Sequence, residues 1–477
     1  MTTPHDVRPA GEWDLTELDD GTQAAMPEID GAPLGDITFA ATASSRMPLR
    51  APNGRFVRAG GQVVKLGGSV LAKLRGEPAP EGGYDGEYVE ALAEAVRAAH
   101  PDILDLPTDE ALTAAWDVAY PIQLAQIQDT LDQNRGRLSP VGSLGDVSFS
   151  GETRRQSLPV VLDVLRQVLR EPLLPADELE IIRTRKLGSL QQQLSDPQSL
   201  ARIALSRKLN PYPATDVRYV PNTEEEIARW KELKAEDVAK LYNEFVGGQH
   251  GELVVVGDFS PDELLPQLET MLGGWKAKEA YARIERPATK SAKVRELIET
   301  PDKENAVYLA ATIIPMSDGA DDYPALVIGN FVMGGSTLAS RLGDRVRQKE
   351  GLSYGVGSFL RSSSLDDRPS FYMYAITNPV NMPKVESAIN EELALALKDG
   401  LTSGEVESAK NGYLEQQKVE WNTDDALAAR LSELLYADRD MTYYSRQIKS
   451  MQELIRLAQS SPKKLSFATP GIGHMLK

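Results

Sequence analysis

The sequence predicts an α+β fold of two related subdomains, each an α/β sandwich in which helices pack on one face of a mixed sheet. Three observations carry that expectation. Helical runs with apolar residues three and four apart alternate with short strand-like segments along both halves of the chain. The halves repeat one order, an alternating strand, amphipathic helices and a closing strand, at a spacing of roughly 200 residues. Between them, residues 276–300 hold Lys276, Lys278, Pro287, Lys290 and Lys293 with few large apolar groups, which is linker composition.

Taken in order, residues 1–50 carry nine acidic and three basic side chains without periodicity and read as a weakly ordered acidic arm. A first α+β subdomain is expected over 51–275, with its opening part, 51–140, the least defined. Gln62-Val63-Val64-Lys65-Leu66 reads as a short strand. Helices follow over 88–99, stopped by Pro101, and over 108–120, started by Thr108-Asp109-Glu110 and ended at Pro121. A third helix is read over 123–134, and Asp146 to Gly151 alternates like a strand. Val161, Leu162, Leu165, Val168 and Leu169 then line one helix face before Pro172. Pro175-Ala176-Asp177-Glu178 opens a longer helix, Asn222-Thr223-Glu224 caps another, and Ala235 to Phe245 forms a third. Leu253-Val254-Val255-Val256 is an apolar strand, followed by a helix from Ser260-Pro261. Beyond the linker, 301–477 is the second subdomain, with strands over 306–314, 354–360, 370–377 and 464–469. Its helices are read over 323–333, 338–348, 382–398 and 403–437.

Composition narrows the chemistry. The 477 residues include 52 Lys+Arg and 70 Asp+Glu, a net charge of −18. That acidity disfavours a phosphate-tracking nucleic-acid binder or a surface drawn to anionic lipid. Without cysteine there are no disulfides, thiolate metal sites or cysteine nucleophile. No apolar run is long enough to insert in a membrane, and the first residues lack the order of a secretory signal, so a soluble chain without an export address is expected, its compartment left open. The four histidines, His5, His100, His250 and His474, stand far apart, so no local pair of imidazoles exists to hold zinc.

The densest chemical signal lies between 334 and 358. Gly334-Gly335-Ser336 precedes Ser340-Arg341-Leu342 and a helix with Arg345 and Arg347, which breaks at Gly351 and feeds Tyr354. A guanidinium and a phenol so placed are good donors to a carbonyl or oxyanion. Read alone, Arg347 is equally a solvated helix-end cation, Tyr354 an ordinary strand aromatic, and the glycine pair a helix cap.

Arg347 and Tyr354, seven residues apart in Arg-Gln-Lys-Glu-Gly-Leu-Ser-Tyr, resemble a motif of the insulinase/pitrilysin family of zinc metallopeptidases. Gly334-Gly335 with Ser340-Arg341-Leu342, Asn210-Pro211-Tyr212-Pro213 and His250-Gly251-Glu252-Leu253 before Gly257-Asp258-Phe259 are similar to other family segments. The resemblance spans the chain from about residue 145 onward. It implies a half-clamshell of paired subdomains in which Arg347 and Tyr354 bind the peptide substrate and stabilise the oxyanion, with Gly334, Gly335 and Ser336 beside the substrate. The family's inverted zinc motif, His-x-x-Glu-His, is missing here, and the position of its third ligand, a glutamate, falls at Gln191, a poor zinc ligand. The expectation is therefore a zinc-less subunit or C-terminal half, inactive alone, with no cofactor of its own. A homologous subunit or N-terminal half bearing His-x-x-Glu-His would supply zinc and the general base of a heteromeric metalloendopeptidase. The alternative is a non-catalytic structural subunit or peptide-binding scaffold of the same fold.

Overall fold

A computed structural model describes residues 37–44, 61–80, 83–289, 293–336 and 339–460. The α+β expectation holds, but the described strand pairings are antiparallel rather than mixed, and the first sheet carries helices on both faces. The first half contributes β1 (Ile37–Ser44), α1 (Gly61–Arg75), α2 (Glu87–Ala99), α3 (Thr108–Gln133), β2 (Arg137–Ser143), β3 (Asp146–Thr153), α4 (Leu158–Arg170), α5 (Ala176–Gln193), α6 (Pro197–Leu209), α7 (Thr223–Glu232), α8 (Ala235–Phe245), β4 (Gly251–Val256) and α9 (Pro261–Leu272). The second half contributes β5 (Ala306–Ile313), α10 (Tyr323–Asn330), β6 (Ser353–Arg361), β7 (Ser370–Thr377), α11 (Met382–Asp399), α12 (Ser403–Glu420), α13 (Asp424–Tyr436) and α14 (Thr442–Ser460).

Two sheets organise these elements. The first has order β2-β3-β1-β4 and the second β5-β7-β6, and every described pairing is antiparallel. Alternation along each strand assigns the faces. Val147, Phe149, Leu253 and Val255 of the first sheet pack with Val161, Leu162 and Leu165 of α4 and Leu264 and Met271 of α9. In the second, Phe371, Met373 and Ala375 of β7 meet Val385, Ile389 and Leu393 of α11 and the buried residues of α10 and α12. A third core is wholly helical. Leu66, Val70, Leu92, Val96, Ala111, Ala115 and Trp116 close α1, α2 and α3 on one another.

The halves also exchange helices. α13, from the second half, lies against β4 and β1 of the first sheet, and α6, from the first half, lies against β5 of the second. Val254 is buried although its neighbours Leu253 and Val255 point to α4 and α9, so its side of β4 is the one α13 covers. The segment read as a linker, 276–300, is tied to both halves. Arg218 donates to the Glu285 carbonyl (3.0 Å), Thr289 Oγ1 to the Leu209 carbonyl (2.8 Å), and Arg283 and Arg295 pair with Asp366 (2.6 Å) and Glu386 (2.9 Å).

Several local expectations are corrected. Residues 37–44, read as part of the acidic arm, form the inner strand β1. They are small and weakly apolar, and their strand character comes from pairing with β3 and β4 on either side. Gln62 to Leu66 is not a strand but the start of α1, whose Leu66, Val70 and Leu71 recur at helical spacing. Pro121 does not end α3, which runs through it to Gln133, and the run 403–437 is two helices separated at Trp421–Thr423, where the Thr423 hydroxyl caps α13. The strand expected at 464–469 lies outside the described residues.

Because each sheet is covered partly by the other half, the halves are expected to unfold as one unit. Leu434→Ala in α13 removes a buried side chain and is expected to cost about 2–5 kcal/mol, while calorimetry still shows a single transition for both proteins. Two transitions, with one unmoved by the substitution, would refute the coupling.

Candidate functional site

α10 does not end with an ordinary cap. It widens into a π-helical turn, Phe331–Gly335, which brings the backbone of residue 334 onto β6. A Cβ at Gly334 would lie 2.6 Å from the Gly357 carbonyl carbon and 2.7 Å from Ser358 Oγ, so only glycine allows the approach. Ser358 Oγ donates to Asn330 Oδ1 (2.9 Å), fastening the same corner. Gly335 and Ser336 follow half-buried, with the Ser336 amide donating to the Phe331 carbonyl (3.2 Å).

A second π-helical segment, Gly343–Lys349, buries Val346 beside Leu342 and turns Arg347 outward. Gly351, at φ +60°, makes the left-handed turn into β6. Ser353 then pairs with Thr377 and Gly355 with Ile376, and the register slip between them leaves Tyr354 outside the ladder. Ser353 Oγ holds this bulge, accepting from the Gly355 amide (3.1 Å) and donating to the Ile376 carbonyl (2.7 Å). Tyr354 is 61% exposed. Arg347 and Tyr354 thus stand on consecutive elements at one end of the second sheet, and neither makes a hydrogen bond or ion pair among the described residues.

The neighbouring arginines have a different occupation, one that sequence spacing did not separate from that of Arg347. Arg345 pairs with Glu350 (2.8 Å), Glu391 and Glu392 (3.2 Å), tying the π segment to α11. Arg341 makes a two-pronged contact with Glu405, Nε to Oε1 at 2.6 Å and Nη2 to Oε2 at 2.9 Å, and donates to the Gly400 carbonyl. Glu405 also accepts from the Thr402 amide and hydroxyl, both at 2.8 Å. Burial acts to raise the Glu405 carboxyl, but Arg341 and the Thr402 donors outweigh it and hold it at about 2.

Among the described residues no three His, Asp or Glu side chains converge as a metal site. His250 packs on the Tyr281 ring (4.8 Å between centroids), and Gln191 is an exposed neutral amide on α5. His5 and His474 lie outside the described residues. The donors among the described residues do not fit a zinc ion.

Two antiparallel α+β halves thus exchange helices, and an exposed Arg/Tyr pair stands at one end of the second sheet. Residues 232–413 match the family model described as the peptidase M16 inactive domain, and the chain carries that domain, which bears out the resemblance to the insulinase/pitrilysin family. The uncharacterized zinc protease YmxG of Bacillus subtilis is 23% identical over 286 residues, 60% of this chain and 67% of that protein. The non-peptidase homolog YmxG of Helicobacter pylori is 24% identical over 63% of this chain and 67% of its own length. The solved peptidase M16 inactive domain from Pseudomonas fluorescens shares the fold at TM-score 0.63 and 16% identity, covering 91% of this chain and 90% of that one. The periplasmic protease PqqL from Escherichia coli is matched at TM-score 0.53 and 13% identity, over 89% of this chain but 40% of PqqL. A separate short match, 46% identical over 74 residues, is to the arginine–tRNA ligase of Renibacterium salmoninarum. It spans 16% of this chain and 14% of the ligase. No helix among the described residues is long and apolar enough to cross a membrane.

Two substitutions test this geometry. Gly334→Ala is expected to destabilise the protein by about 1–3 kcal/mol through overpacking against β6, read as a lowered denaturation midpoint; an unchanged midpoint would contradict the close approach. For Glu405, the folded carboxyl sits at about 2 against an ordinary 4.5. Its depressed value means its stabilisation is complete above about pH 4.5 and is lost as pH falls toward 2. Glu405→Gln should therefore cost about 1–2 kcal/mol at pH 7, after allowance for solvent screening, with the difference from the parent vanishing over that acid window in denaturant titrations.

Proposed function

We propose that this chain is the non-zinc-binding subunit, or C-terminal half, of a two-part zinc metallopeptidase that hydrolyses peptides in an enclosed chamber. The observation that carries the reading is the pair Arg347 and Tyr354, held on a π-helical segment and a bulged strand yet left without hydrogen-bond or ion-pair partners among the described residues. Groups fixed by their backbone and unused by their own fold suit a site completed by another surface. The coverage of 40% of PqqL supports the same picture of a chain shorter than a whole enzyme. A homologous partner with His-x-x-Glu-His would hold zinc and the general base. From this side, Tyr354 would donate its hydroxyl proton to the carbonyl oxygen on which negative charge develops, and Arg347 would orient the peptide backbone or the phenol. Gly334, Gly335 and Ser336 would form the wall against which the peptide lies.

A second reading, a non-catalytic structural subunit or peptide-binding scaffold, draws support from the H. pylori relative, whose name describes a non-peptidase homolog. Co-purification with a protein bearing the inverted zinc motif, then peptide cleavage by each subunit and by the mixture, separates the two. The peptidase reading expects activity only in the mixture. It further expects Tyr354→Phe to lower turnover by about two to three orders of magnitude with zinc content unchanged. Unaltered turnover would remove Tyr354 from the chemistry, stable association without cleavage would favour the scaffold, and cleavage by this chain alone with stoichiometric zinc would overturn both.

A further inference from the structure

Along β6 and β7, the side chains that stay out of the second core form a face of their own. Phe371, Met373 and Ala375 enter that core, so by alternation Tyr372 and Tyr374 point away from it. Phe359 pairs with Tyr372 and Gly357 with Tyr374, and Arg361 ends β6 on the same side. Two walls border this face. On one flank α6 lies against β5. On the other, the Gly334 carbonyl oxygen comes within 3.0 Å of where a Cβ of Gly357 would sit. The floor between them is aromatic. Phe359 and Tyr372 stack with 4.6 Å between centroids, Tyr374 lies 6.3 Å from Phe359, and all three are half-buried.

Arg361 stands at the open end. Its guanidinium lies over both stacked rings, 5.4 Å from Phe359 and 5.8 Å from Tyr372. The residue is exposed and makes no ion pair among the described residues, in a chain of net charge −18. A cation held over a ring stack suits a carboxylate that arrives together with an aromatic side chain. At its other end the same strand carries the bulge that presents Tyr354, so the face continues from the Arg/Tyr pair over about 20 Å of extended chain.

We infer that this face is a specificity groove for extended peptides that carry an aromatic residue and, two positions away, an acidic one, the ring resting on Phe359 and Tyr372 and the carboxylate meeting Arg361. Side chains two apart share one face of an extended peptide, about 7 Å from each other, which matches the separation of Phe359 and Arg361 along β6. That the peptide held there is the substrate rests on the peptidase reading; that it binds does not.

The test is a ligand-observed NMR titration of the full-length protein, without partner or zinc, using acetylated and amidated alanine heptapeptides with Phe and Glu two residues apart, in both orders. Saturable millimolar binding of at least one order is expected. Moving Glu next to Phe, which sends the two side chains to opposite faces, or replacing it with Gln should weaken binding at least about tenfold. Arg361→Glu, at an exposed position, should reverse the preference so that a Phe/Lys peptide outcompetes the Phe/Glu one. No saturable binding, indifference to the spacing, or an unchanged preference in a folded Arg361→Glu protein would overturn the assignment. Binding with these preferences but no cleavage by the mixture with a zinc-motif subunit would fail the peptidase reading alone, whereas cleavage of all the peptides without such binding would fail the groove alone.

Discussion

The exchange of helices between the two halves is the constraint on which the remaining structure rests. An open antiparallel sheet with helices on one face leaves a second face that is either polar and solvated or covered by another element. Here α13 of the second half covers β4 and β1, while α6 of the first half covers β5. The carbonyl at the end of α6, that of Leu209, accepts from Thr289 Oγ1 and from Arg368 Nη2, each at 2.8 Å, so the exchanged helix is fastened by the linker and by the second half together. A further lock sits behind it. The nearly buried Asp318 receives both terminal nitrogens of Arg439 at 2.6 and 2.9 Å, which joins the loop after β5 to the segment between α13 and α14. With the halves so fixed, the bulge of β6 at one end of the second sheet leaves Tyr354 61% exposed.

The candidate site follows from how charge is shared along one short stretch. Three arginines occur within seven residues, and two of them are consumed by the fold: Arg341 by Glu405, Arg345 by Glu350, Glu391 and Glu392. Those pairs hold the π-helical segment so that the third, Arg347, projects without a partner among the described residues. Ser353 does the same for the phenol, holding the bulge that excludes Tyr354 from the ladder. In an enzyme of two parts, such rigid support of an unused donor pair lowers the entropy lost when substrate arrives. The zinc chemistry implied by family resemblance finds no donor set among the described residues, so the peptidase reading calls for a second polypeptide.

Much of this was legible before any coordinates. The spacing of Arg347 and Tyr354, the Asn222 cap, the apolar face of α4 and the strand at 251–256 are local patterns, and each is present where periodicity or capping chemistry places it. What escaped was set by tertiary partners. Ile37 to Ser44 has little apolar character and becomes a strand only between two others. Gln62 to Leu66 reads as either strand or helix until Val70 and Leu71 extend the pattern. Pro121 looks like a terminator, yet α3 is held on both sides by packing that outweighs the lost hydrogen bond. The helix exchange itself, and the roles that separate Arg341 and Arg345 from Arg347, depend on contacts more than 40 residues apart in the chain, which no window of sequence contains.

The central claim is that Tyr354 faces a chamber shared with another polypeptide. Replacing Tyr354 with the photo-reactive p-benzoylphenylalanine and irradiating the protein with its zinc-motif partner and a labelled peptide tests it directly. The account predicts cross-links from position 354 to the peptide or to the partner, dependent on the partner's presence. Failure to cross-link in a complex shown to be assembled, or cross-links to the peptide unchanged when the partner is omitted, would contradict it.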